Sequence, residues 1–129
     1  MSYADTFLNI YIRQRLLTMH TAMPAKIVSY DEAQGRATIQ PLFMTKEYGK
    51  PPEPLPIVEN VPVLKYRLRT EGGIVQEYTP VYEKDDVVFV ACAERALDAV
   101  LADPGRVVLP SDTRHHSLND AVILGALMT

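Results

Sequence analysis

The segment 87–93, Val-Val-Phe-Val-Ala-Cys-Ala, limits the possible folds more than any other part of the chain. It is too short to span a membrane and rich in residues that suit a pleated strand. It is apolar at both odd and even positions, which predicts a central strand buried on both faces. The acidic turn Glu83-Lys84-Asp85-Asp86 precedes it, and the amphipathic segment 94–101 follows. Ala96, Leu97, Val100 and Leu101 share one helical face, and Asp103-Pro104-Gly105 ends that segment.

Other strands can be placed around this one. Residues 25–30 alternate, with Ile27 on one face and Val28 and Tyr30 on the other. Asp31 to Gly35 reads as a five-residue hairpin loop, with Gly35 in the left-handed position. The return strand 36–43 sets Ala37 and Ile39 opposite Thr38 and Gln40. Residues 45–56 hold Gly49, Pro51, Pro52, Pro54 and Pro56 and read as a stiff surface loop, since proline cannot donate to a ladder. Residues 61–68 read as strand, 71–73 as a turn, and 74–82 as a second hairpin arm broken or bulged at Pro80. Residues 106–109 read as a strand or an extended connector. Asn119 or Asp120 suits the cap of a short final helix or turn over 121–127.

Ahead of the strands, Ser2 and Asp5 suit a helix start, and the spacing predicts a helix from about Tyr3 to Met19. Phe7, Ile10, Tyr11 and Leu17 recur on one side, and Leu8, Ile12, Leu16 and Met19 on another. That stripe is wider than one small barrel requires. The expected organisation is a helix over 1–22 and a β domain over 23–129.

Composition narrows the function classes. The 129 residues, 47% hydrophobic and 22% charged, form an ordinary globular chain able to bury a core without staples. A net charge of −3 argues against a general nucleic-acid binder, which needs a basic face. The single cysteine, Cys92, leaves no internal disulfide and no multi-cysteine metal site. Residues 1–20 lack the basic start and apolar run of a signal peptide, so synthesis in a cytoplasm is expected, with no membrane insertion by a helix.

Four pieces of the chain follow in order: Ile39-Gln40-Pro41, then Glu59-Asn60-Val61-Pro62-Val63, then Asp85 to Val90, and finally Arg114, His116, Leu118, Asp120, Ala121 and Gly125. Together they resemble the oligomer-binding-type (OB) barrel at the N-terminus of phage tail central-spike proteins, the membrane-puncturing spike family. The resemblance covers residues 23–125. It implies a mainly β fold, a small Greek-key OB-like barrel with an N-terminal helix and a short C-terminal helix. It also implies a homotrimer in the virion, at the tail baseplate, joining other hub proteins to a separate spike or needle chain. Spike proteins of this family continue into an intertwined needle often tipped by a His-X-His iron site. Here the sequence stops at Thr129 and His115-His116 are adjacent, so the puncturing role is not expected to carry over.

The candidate interface residues are Phe7, Ile10, Tyr11 and Leu17 from the helix stripe, and Arg114, His116, Leu118 and Asp120 from the family motif. No catalytic residue, cofactor or metal site is expected. His115 and His116 point to opposite faces of a strand and cannot easily chelate one ion. A thiol hydrolase built on Cys92, a histidine and Asp112 needs an exposed thiolate, and Cys92 sits among valines. The alternative function is a single-stranded nucleic-acid-binding OB-fold module, using Tyr48, Tyr66, Tyr78 and Tyr82 with Lys65, Arg67 and Arg69.

Overall fold

In a computed structural model, residues 2–46 and 49–129 are described. Tyr48, one of the four candidate stacking tyrosines, lies outside them. The elements are α1 (Tyr3–Leu17), β1 (Ala22–Asp31), β2 (Arg36–Pro41), β3 (Met44–Thr45), β4 (Glu53–Pro54), β5 (Val58–Pro62), β6 (Tyr66–Arg69), β7 (Val75–Tyr78), β8 (Val87–Cys92), α2 (Asp98–Ala102), a 3₁₀ turn (Leu118–Asp120) and β9 (Ala121–Ala126).

Five strands form one antiparallel sheet in the order β5-β2-β1-β8-β9. The chain crosses from one side of β1 to the other between β5 and β8. The sheet curls until its two outer strands approach, and a single parallel bridge joins Val63 to Ile123. The result is the partly open, five-stranded barrel expected from the sequence. Its filling follows the two-residue period of strands. Met23, Ala25 and Ile27 of β1, Ala37 and Ile39 of β2, Val58 and Val61 of β5, and Val88, Val90 and Cys92 of β8 all point inward. Leu118, Ala121 and Ile123 complete the core.

The tight turns are built as their residues require. Asp31 accepts the Gly35 amide on its carbonyl at 2.9 Å and the Gln34 amide on Oδ1 at 3.2 Å. Gly35 sits at φ +64° with Val63 close by, where a side chain would be both strained and crowded. Tyr30 extends from β1, donates to the Pro80 carbonyl at 2.6 Å and packs edge-on against Tyr82. That contact holds the chain beyond β7 against the sheet. Gln40 reaches the Leu55 carbonyl at 2.8 Å and ties the proline-rich loop back to β2. The same loop forms the small β3–β4 ladder.

Three expectations need correction. Residues 121–127 do not form a helix: 121–126 are strand β9, paired with β8, and the helical turn lies just before, at Leu118–Asp120. A run apolar at every position fits either state, and here the open edge of β8 decides it. Strand β8 is not buried on both faces. Val88, Val90 and Cys92 face the core, but Phe89 is 37% exposed because no second layer covers the outside of the sheet. The predicted strand 61–68 is two strands, β5 and β6, separated after Pro62. Residues 106–109 are an extended connector.

Helix α1 forms as its caps predict. Ser2 Oγ accepts from the Asp5 amide at 3.2 Å, Asp5 lies in the first turn and Arg15 in the last. None of its residues is buried.

Candidate functional site: a charged clasp and an uncovered helix

The connection between β8 and β9 is long, and one arginine organises it. Arg114 Nε donates to Asp120 Oδ2 at 2.7 Å, and Nη2 donates to Asp120 Oδ1 at 2.8 Å. This is the two-pronged geometry that a planar guanidinium offers a carboxylate. Nη2 also reaches Asp98 Oδ2 at 2.9 Å, and Nη1 reaches Asp112 Oδ2 at 3.4 Å. One side chain thus ties the start of α2, the connector and the 3₁₀ turn together.

Asp120 is 2% exposed, the one charged side chain in the core among the described residues. Burial pushes its carboxyl upward. The two Arg114 hydrogen bonds, the Leu97 amide at 3.1 Å and the Arg114 charge together outweigh that and hold it below the ordinary aspartate value. Arg114 is in turn held more firmly protonated, first by its hydrogen bond to Asp120 and next by that to Asp98. Asp120 therefore does not cap a helix that follows it; it receives the backbone of Leu97, at the entrance to α2.

The backbone around the clasp also holds the root of α1. The His20 amide donates to the His116 carbonyl at 2.9 Å, and the His116 amide donates to Glu94 at 3.1 Å. His116 adopts φ +44°, the left-handed region that non-glycine residues rarely occupy. The rings of His115 and His116 lie 5.5 Å apart. Among the described residues no three histidine, cysteine or acidic side chains converge as metal ligands would. The Cys92 thiol is buried, and burial pushes its pKa up, with the Asp120 carboxylate adding to the effect.

The eight candidate interface residues fall into two groups. Arg114, His116, Leu118 and Asp120 meet at the clasp, where Leu118 and Asp120 are covered by their own chain. Phe7, Ile10, Tyr11 and Leu17 lie together on α1 and are 40–70% exposed. Phe7 and Tyr11 stack at 6.4 Å. The sequence reading missed Asp98 and Asp112, which share Arg114; Asp112 lies two residues before it, whereas only the fold brings Asp98 to it. It also missed the cleft beside the clasp, lined by Ile57, Glu59, Leu97 and Leu101.

The basic track has a different setting. Lys65 and Arg67 each lie 3.5 Å from Glu77, and Arg69 donates to the Gly73 carbonyl. Tyr66 and Tyr78 pair across β6–β7, on the opposite face from Arg67 and Glu77. Tyr82 is turned against Tyr30.

These features define a class: a small, partly open, five-stranded antiparallel β-barrel whose core closes without help from its leading helix. The chain belongs to the family of the phage protein Gp138 N-terminal domain, whose family model matches residues 23–125. The match begins one residue into β1 and ends one residue short of the end of β9, so it covers the barrel and leaves α1 outside. No curated protein matches the chain.

Proposed function

We propose that the chain is a non-catalytic structural component of a phage or phage-like contractile tail. In this reading it is a homotrimeric barrel at the baseplate hub that joins hub proteins to a separate distal spike. Membership of a phage protein family supports the phage setting and is consistent with a virion component. The observation that carries the assembly reading is α1. It presents Phe7, Leu8, Ile10, Tyr11, Ile12, Leu16 and Leu17, all at least 40% exposed, and buries none of them on its own barrel. An apolar surface of that extent on a soluble domain marks an interaction face. Two rows on opposite sides of one helix suit a closed ring, in which each copy meets two neighbours.

The hairpin β6–β7 supports the same reading. All eight of its strand residues are exposed, and an isolated two-stranded ribbon is marginal in water. A hub partner would cover it. The nucleic-acid alternative is disfavoured because Glu77 engages Lys65 and Arg67, and Tyr66 and Tyr78 lie on the other face of the hairpin. Light scattering tests the assembly, and electron microscopy of tails carrying a tagged chain tests the position. Label confined to the baseplate is expected; label elsewhere on the particle would contradict the hub placement.

A further inference from the structure

The cleft beside the clasp lies between β5 and α2 and encloses about 640 Å³. Its walls are apolar at Ile57, Leu97 and Leu101 and acidic at Glu59 and Asp98. Ile57 and Leu101 are exposed, although both line a concave surface. Among the described residues the one cation in the lining, Arg114, is already engaged by Asp98, Asp112 and Asp120. Glu59 has no ion-pair partner among the described residues. The surplus charge of the cleft is therefore negative, around an aliphatic floor.

Helix α1 carries the complementary chemistry. On the side opposite Phe7, Ile10 and Leu17, a second row runs Leu8, Ile12, Leu16 at four-residue spacing. Arg15 flanks this row on one side and Arg13 on the other. The row is exposed in its own chain, so the barrel it leads into does not use it.

We propose that α1 of a neighbouring copy seats in this cleft. Leu8, Ile12 and Leu16 lie against Ile57, Leu97 and Leu101, and Arg15 faces Glu59 and Asp98. The inference rests on the homo-oligomer reading above and adds the surface that makes it. The row Phe7, Ile10, Leu17 stays free for a second neighbour. Charge complementarity sets the register of the helix, because a shift of one turn would move Arg15 away from Glu59.

Two experiments test the seat. A chain carrying Ile12→Cys and Leu101→Cys, oxidised in dilute solution, should give covalent trimers on a non-reducing gel, and each single variant should run as monomer. Separately, Arg15→Glu should raise the concentration of half-dissociation by about tenfold, and adding Glu59→Arg in the same chain should restore it. If the native chain is a trimer but the double-cysteine chain gives no covalent trimer and the charge swap no rescue, the seat is wrong and the oligomer reading stands. Cross-linking by Ile12→Cys alone would place the helices against one another and overturn the seat. A native chain that is a monomer at every concentration would overturn both.

Discussion

Leu8 and Ile123 are both aliphatic and both belong to strongly apolar segments, yet Leu8 is 54% exposed and Ile123 is fully buried. Ile123 sits on a strand that pairs with β8 and bridges to Val63, so its side chain closes the barrel. Leu8 sits on a helix that local capping alone can start and of which no residue is buried. The barrel thus closes on its own residues, and in the proposed reading the helix serves the assembly. The clasp lies at the boundary: Arg114 and Asp120 fasten the last strand, and His116 holds the root of the helix.

If that division is right, perturbing the two regions should have unlike consequences. The largest effect should come from deleting residues 117–129. This removes β9, with Leu118, Ala121 and Ile123 of the core and the partner of β8. No cooperative melting transition should remain in circular dichroism, and a variant that still melts as the native chain does would show β9 to be dispensable.

The clasp should come next. Asp120→Ala opens a buried, bidentate pair and removes the acceptor of the Leu97 amide, at a cost of about 3 kcal/mol. Chemical denaturation measures it directly. The sign of the pH dependence separates charge from packing. In the native protein the Asp120 carboxyl titrates below its unfolded value of about 3.9, so its contribution is fully present above that pH and is lost as pH falls through the folded value. In Arg114→Met, burial prevails and the folded value rises. The buried carboxyl then binds a proton more tightly folded than unfolded, and stability falls as pH rises from about 4 toward 7. Relative to the native chain, Arg114→Met should therefore be less impaired at pH 5 than at pH 7; an equal loss at both would make the clasp a packing device only.

A smaller effect is expected at His116. Its φ of +44° suits glycine, so His116→Gly should keep the melting temperature within a few degrees, whereas a β-branched His116→Val should cost about 1–3 kcal/mol of stability through strain and lower the melting temperature clearly. If the two variants melt alike, the left-handed backbone is not what this position requires.

The smallest effect on stability should come from α1. Phe7→Ser with Tyr11→Ser alters side chains that are 70% and 50% exposed and should change barrel stability by no more than about 0.5 kcal/mol. The same change should lower the oligomer mass. Loss of the β signal would place the helix in the core of a single chain.

Much of this was legible in the sequence where local chemistry decides the outcome. Ser2 and Asp5 marked the start of α1, and Gly35 marked the hairpin. The alternation around Ile27 and Ile39 gave the facing of β1 and β2. The reading failed where long-range pairing decides. Ala121-Val122-Ile123-Leu124 has no period of its own, so its state is set by the open edge of β8, about thirty residues earlier in the chain. Asp98 lies 16 residues from Arg114 and becomes its partner only because α2 folds back over the 3₁₀ turn. Phe89 looked buried because its neighbours are, but the outer face of the sheet has no covering layer.

The central claim, that the barrel closes on itself while its helix makes the assembly, is tested most directly by the mass of the full chain in solution. Multi-angle light scattering at micromolar concentration should give three times 14.4 kDa, falling toward 14.4 kDa in the Phe7→Ser, Tyr11→Ser chain with its β signal intact. A native chain that runs as a 14.4 kDa monomer across that range would contradict the account.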